Sequence, residues 1–181
     1  SLGGYTIGIL VQTNFGGILT MNSAPVGREL RQYSYKDNLI DTANEDKIDG
    51  SIMIVVATDA PLNAKNLERL AMRAIMGLAR TGSHASNGSG DYVVAFSTHP
   101  SVRRPRLSEK PVASLSLVNA SMSPLFAATA EATEEAIYNA IFKATTVESD
   151  RGIRKAVPIK DLMRILEKYN ALHWDKNISK N

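Results

Sequence analysis

The sequence predicts a layered α/β domain. Three observations carry that expectation. There are three β-branched apolar runs of strand length, a long segment with helically spaced apolar residues between the second and third, and connections of very uneven length. Uneven connections speak against a series of repeated βαβ units. At 181 residues the chain suits one domain with its own hydrophobic core, or a large piece of one.

The first run, GGYTIGILVQ (3–12), reads as a strand and breaks at TNFGG, a turn that leaves Asn14 at the strand's end. Residues 21–50 are mostly polar, with one or two helical turns expected around GRELRQY; so long a stretch with little apolar pattern is uncommon in a compact domain unless it has a task or is mobile. IMIVVAT (52–58) is an unbroken apolar strand, expected to be covered on both faces. The next helix is the clearest element. In APLNAKNLERLAMRAIMGLARTG the residues Leu67, Leu70, Ala71, Ala74, Ile75 and Leu78 recur at helical spacing, with Pro61 near the start and Gly82 just past the end. Asp59 reads as a side-chain cap for it, and Met53 and the helix methionines as core packing.

The Gly/Ser loop TGSHASNGSG leads into the strand DYVVAFST (91–98), and after RRPRL a further short strand is expected over 112–118. TEEAIYNAIFKATTV (133–147) reads as an amphipathic helix with Thr133 as its N-cap, and IKDLMRILEKY (159–169) as another after Pro158. The tail DKNISKN is expected to fray, and no internal repeat is visible.

An apolar content of 44% and a charged content of 22% are ordinary for a globular protein, and the net charge of +3 is mild. Residues 1–50 are net acidic, with four Lys/Arg against six Asp/Glu, and the remainder is net basic. The only basic cluster, RRPR at 103–106, lacks interleaved aromatics, so no nucleic-acid partner is expected. The absence of cysteine excludes disulfides, thiolate metal sites and cysteine nucleophiles, and fits a reducing compartment. His84, His99 and His173 have no partners at metal-ligand spacing, so neither a metal nor a cofactor is expected. His84 lies five residues before Ser89, but a loop histidine is usually solvated and it is kept out of the site. No apolar stretch reaches the roughly 18 residues of a membrane span, and no charged leader precedes an apolar run. The expected location is cytoplasmic, with the periplasm left open. The start SLGG, without methionine, suggests a processed product or missing upstream sequence.

The junction Gly50-Ser51 has two readings. Gly-Ser before a strand is most often only a loop end. It also has the arrangement that self-cleavage needs: the Ser51 hydroxyl attacks the unobstructed Gly50 carbonyl, and water resolves the resulting ester to leave Ser51 with a free α-amine. That amine, with an ordinary pKa of roughly 7.7–8.0, can serve as base for its own hydroxyl. Asn14 reads as turn chemistry before glycine, and Ser89, Gly90 and Asp91 as a flexible connector opening a strand.

Three segments decide between these readings. GGYTIGILVQTNFG, GSIMIVVATDAPL and SNGSGDYVVAFST resemble, in order and spacing, the DmpA family of L-aminopeptidase D-Ala-esterase/amidases and β-peptidyl aminopeptidases. The resemblance covers nearly the whole chain. It implies a four-layer αββα sandwich of the DmpA/ornithine acetyltransferase type, incomplete in this chain, and a serine N-terminal-nucleophile hydrolase that cuts itself into two associated subunits. Residues 1–50 then correspond to the end of the first subunit, and 51–181 to the second. The implied activity is release of N-terminal residues from small peptides, amides or esters bearing a free amine. Ser51 is implied as nucleophile, Gly50-Ser51 as the processing site and Asn14 as oxyanion donor. Ser89 and Asp91 are implied to stand beside the nucleophile, with Asp91 one methylene shorter than the Glu some members carry.

The family's first subunit is much longer than 50 residues and supplies a tyrosine near the nucleophile; neither Tyr5 nor Tyr33 occupies a motif that assigns it that role. The rest of that subunit is therefore an expected partner, an unpaired sheet edge is expected where its strands belong, and the resemblance suggests a homo-oligomer of heterodimers. Two alternatives stand beside this. An ornithine acetyltransferase-like acyltransferase is disfavoured because those enzymes cut before threonine, and an uncleaved, non-catalytic binding module would keep Gly50-Ser51 intact.

Overall fold

In the computed structural model, residues 4–36, 50–104, 111, 113–150 and 152–173 are described. The part of the polar stretch within 37–49, the end of the RRPRL loop, the first residue of the strand expected at 112–118 and the tail DKNISKN lie outside these residues. Three strands form the main sheet, β1 (Ile7–Asn14), β2 (Ser51–Thr58) and β3 (Gly90–Ser97), in the order β1-β2-β3. β2 is central, antiparallel to β1 and parallel to β3. A parallel neighbour needs a crossover, and α2 (Ala64–Arg80) supplies it after the one-turn α1 (Val26–Glu29). α3 (Ser123–Lys143) lies beside α2 on the same side of the sheet. A small ribbon, β4 (Val147–Ser149) with β5 (Gly152–Arg154), precedes α4 (Ile159–Lys168).

Alternation along β2 decides which face is buried. Ile52, Ile54 and Val56 are fully buried and meet Leu70, Ala74 and Leu78 of α2 and Leu125 and Ile137 of α3. Each such Val, Leu or Ile side chain contributes about 1.5–3 kcal/mol by leaving water. The other face is open among the described residues. Leu10, Met53, Tyr92, Val94 and Phe96 are exposed there, so β2 is covered on one face, not on both as its composition suggested. β1 and β3 likewise have no strand partner on their outer edges among the described residues. The helix methionines also depart from expectation: Met72 and Met76 face outward at about 60% exposure.

α2 starts where Asn63 accepts a hydrogen bond from the Asn66 amide at 2.9 Å. Asp59 does not cap it. Its Oδ1 instead accepts from the Thr6 amide at 2.7 Å, tying the entrance of β1 to the exit of β2. α3 begins ten residues before the helix expected from the sequence, with Pro124 in its first turn. Thr133 is therefore no N-cap; it is buried inside the helix and donates to the Thr129 carbonyl, as Thr129 does to Leu125. This back-bonding satisfies both hydroxyls within the apolar interface. The helix ends at Lys143, not 147, because Val147 enters the ribbon.

The two long helices touch at Gly77. A Cβ there would collide with the Ala130 carbonyl oxygen and lie 2.8 Å from Thr133 Cβ, so only glycine allows this approach. Of the strand expected at 112–118, residues 113–118 form no ladder; Leu117 donates to the Pro61 carbonyl, and Leu115 and Val118 are exposed.

The segment after β1 is better ordered than its polarity suggests. Ile18 and Thr20 donate to Gly82 and Thr81 at the end of α2. Met21, Ala24 and Val26 then make a second core with Leu162, Ile165 and Leu166 of α4. Glu29 closes this unit, accepting from Tyr169 Oη at 2.6 Å and from Lys168 Nζ at 3.0 Å.

Candidate functional site

The open face of the sheet carries cross-strand rows. Asn14, Ser51 and Gly90 form the last row at one end of the sheet, and Gln12, Met53 and Tyr92 the next. Residues in register share a face, so the Asn14 and Ser51 side chains project on the side away from the helices. Ser51 is the first residue of the central strand and is partly exposed.

The local sequence fixes this arrangement. The apolar run locks β2 into register, because a one-residue slip would turn Ile52, Ile54 and Val56 out of the core. Gly50 is pinned against the turn that follows β1. A Cβ on it would lie 2.9 Å from Phe15 Cα, 3.0 Å from the Gly16 nitrogen and 3.3 Å from the Asn14 carbonyl oxygen. The close approach of two backbones thus requires glycine before Ser51.

Gly90 contributes its amide. That N–H points at two acceptors, the Gly50 carbonyl oxygen at 3.2 Å and Ser51 Oγ at 3.3 Å. The preceding turn is closed by the Ser89 amide donating to the Ser86 carbonyl at 2.8 Å, which the Asn87-Gly88 pair favours. Ser89 Oγ then donates to Asp91 Oδ1 at 2.8 Å. Asp91 is in register with Ile52, so by alternation it lies toward the helical side of the sheet. The structure therefore brings Asn14, Gly50, Ser51 and Gly90 together directly. Ser89 and Asp91 are joined to each other, and their link to Ser51 runs through the Gly90 backbone.

His84 stays outside this group, its ring 5.5 Å from that of Tyr35. His99 caps the short turn Pro100–Val102 and hydrogen-bonds Ser101. No group of His, Cys, Asp or Glu among the described residues could hold a metal ion. No helix among them is long and apolar enough to cross a membrane. A cavity of about 220 Å³ lies elsewhere, between α3, α4 and the Met21–Asn22 turn, lined also by Tyr138 and His173. Burial and a hydrogen bond to Glu134 raise the Tyr138 phenol well above the usual tyrosine range.

Sequence reasoning missed two residues of this neighbourhood. The first is Gly90 as a donor, which only the parallel pairing of β2 and β3 reveals. The second is Tyr92, which read as an ordinary strand residue. Its ring folds back over Gly90: a point one Cβ bond from the Gly90 Cα lies 3.2 Å from Tyr92 Cε2 and 3.4 Å from Ser51 Oγ.

Comparison with known proteins gives this geometry a context. Residues 1–155 match the model of Peptidase family S58. The beta-peptidyl aminopeptidase BapA of Sphingosinicella microcystinivorans is 39% identical over 177 residues, which cover 93% of this chain and 44% of that protein. Among solved structures, the PH0078 protein from Pyrococcus horikoshii OT3 superposes with a TM-score of 0.79 at 42% identity, covering 94% of this chain and 45% of that one. The L-aminopeptidase D-Ala-esterase/amidase from Ochrobactrum anthropi, described as a prototype for the serine aminopeptidases and a new variant of the Ntn hydrolase fold, gives 0.78 at 32% identity, covering 94% and 46%. The sheet and helices thus belong to the Ntn-hydrolase fold of this type. The chain spans less than half the length of these relatives, and its described residues hold one three-stranded sheet with helices on one side of it and a separate two-stranded ribbon.

Proposed function

Because the chain belongs to peptidase family S58, we propose that it is the catalytic part of a self-processing serine aminopeptidase. The observation that carries this reading is the placement of Ser51 at the head of the central strand. An obligatory glycine precedes it, and one amide, from Gly90, addresses both its hydroxyl and the carbonyl it would attack.

Self-cleavage follows from that contact. Ser51 Oγ adds to the Gly50 carbonyl carbon, and the Gly90 N–H stabilises the negative charge that develops on the carbonyl oxygen. The carbon–nitrogen bond breaks, the hydroxyl proton passes to the departing nitrogen of Ser51, and Gly50 is left as an ester on Oγ. Water hydrolyses the ester, releasing a Gly50 carboxylate and a Ser51 residue with free amine and free hydroxyl. Residues 1–50 become the end of a first subunit, and 51–181 a second.

Turnover repeats the chemistry on a substrate. The Ser51 amine accepts the hydroxyl proton, Oγ attacks the carbonyl of a small peptide, amide or ester, and the amide of Asn14 donates to the oxyanion. Ser89 provides a hydroxyl for holding a proton, and Asp91 orients it by accepting its hydrogen bond. The substrate's C–N or C–O bond breaks, the Ser51 ammonium returns the proton to the departing amine or alcohol, and water then hydrolyses the acyl ester to free Oγ.

The open apolar face and unpaired edges support a partner layer, the remaining part of the first subunit, in an assembly of heterodimers. Intact-mass measurement on the full-length purified protein tests the reading. It predicts a fragment beginning at Ser51 in wild type and one undivided chain in Ser51→Ala; normal cutting of that variant would refute it.

A further inference from the structure

We infer that Tyr92 is a specificity-determining residue, forming an apolar wall against the acyl residue of the substrate. The inference rests on Ser51 as the nucleophile and adds what stands next to it.

Three observations point to Tyr92. First, register places it in the row adjoining Ser51 and on the same face, paired with Met53. Second, the absence of a side chain at Gly90 lets the ring lean toward Oγ, so that Cε2 and Oγ lie within 3.4 Å of one common point. Third, Tyr92 is 64% exposed and Met53 44%, so the pair presents an apolar surface beside the hydroxyl, not a filled core. Whatever closes the sheet beyond Val94 and Phe96, the row that holds Ser51 must remain open to substrate.

The chemistry decides which part of the substrate meets the ring. The leaving amine departs after the first half of the reaction, whereas the acyl group stays bonded to Oγ until water removes it. A side chain fixed beside Oγ therefore faces the acyl residue in both halves. An aromatic ring with a methionine neighbour gains from apolar and aromatic acyl side chains and gives nothing to a bare one. A difference of one methylene in an apolar pocket typically changes kcat/KM by about 10–200-fold.

The test uses the full-length, processed enzyme and aminoacyl p-nitroanilides with phenylalanine-like, leucine-like and glycine-like acyl groups, in both α- and β-amino series. Tyr92→Ala is expected to lower the preference for the two large acyl groups over the glycine-like one by about tenfold, and Tyr92→Phe to keep it. A preference unchanged in Tyr92→Ala, or an equal loss on all substrates, overturns the inference. Should Tyr92→Ala fail to fold, Tyr92→Gln, of similar length but polar, gives the same ratio to the same criterion. Ser51→Ala, run in parallel, separates the two layers of argument. Persisting hydrolysis in that variant overturns the nucleophile and with it this inference; lost hydrolysis with unchanged Tyr92 selectivity overturns only the wall.

Discussion

Asn14 and Ser51 stand directly opposite one another, last residue of β1 against first residue of β2, on the face that carries no helices. The eight-residue ladder behind them holds that relation, so Asn14 can be altered without disturbing the core. Asn14→Ala is expected to lower kcat by about 10²–10³-fold with little change in KM, the signature of a donor used only in the transition state. Steady-state kinetics on an aminoacyl p-nitroanilide checks this, with circular dichroism to confirm the fold.

Gly50→Ala is expected to block processing. The added methyl must occupy space within 3.0 Å of backbone atoms of Phe15 and Gly16, which moves the Gly50 carbonyl away from the Gly90 amide and from Ser51 Oγ. Intact mass should show a single chain, while the thermal midpoint shows that the protein still folds.

Asp91→Ala should reduce turnover by up to about 10²–10⁴-fold, the range of one positioned proton-handling group, because Ser89 loses the carboxylate that orients it. Asp91→Glu should lose less, because a carboxylate remains to accept from Ser89 Oγ. The ratio of kcat/KM in the two variants is the readout.

Gly77→Ala is expected to destabilise the protein by about 1–3 kcal/mol, the usual effect of extra volume in a packed interface. The new methyl meets the Ala130 carbonyl and Thr133 Cβ, so α3 must withdraw from α2. Urea unfolding measures the loss, and catalytic constants of the folded fraction should be unchanged.

The Glu29 cluster predicts an acid-side dependence of stability. The Tyr169 hydroxyl first, and then Lys168, hold the Glu29 carboxyl below its ordinary value of 4.5 in the folded protein. A lowered folded-state pKa stabilises the fold above pH 4.5, and that contribution is lost as the pH falls through the lower, folded value. In Glu29→Gln the unfolding midpoint should change less between neutral pH and that acid range than in wild type.

The parts of this molecule that were legible in sequence are those where one physical signal dominates. The β-branched runs gave β1, β2 and β3 to within a few residues, and the apolar spacing from Leu67 to Leu78 gave α2. The first half of α3 was hidden because SPLFAATAEAT is rich in alanine and threonine, and its core-facing side includes Thr129 and Thr133. Their hydroxyls are satisfied inside the helix, which a pattern of polar and apolar letters cannot express. The short strand expected at 112–118 failed at 113–118 for the opposite reason: apolar residues alternate there, but no strand among the described residues pairs with them. At the candidate site, residue types allowed Ser51 as a self-cleaving serine, and the family resemblance named it together with Asn14, Ser89 and Asp91. The two-acceptor amide of Gly90 and the folded-back ring of Tyr92 depend on cross-strand register, which no local signal encodes.

The ladder between β1 and β2 bears on timing. While residues 50 and 51 remain bonded, the two strands are tethered, and their pairing is an intramolecular event at high effective concentration. Were the bond severed as proposed, β1 would stay in place only through contacts already made, and a piece that dissociated would have to find its partner again from dilute solution. On the proposed reading folding must therefore precede the cut, and a polypeptide severed too early would be two fragments, each with a sheet edge in search of a neighbour.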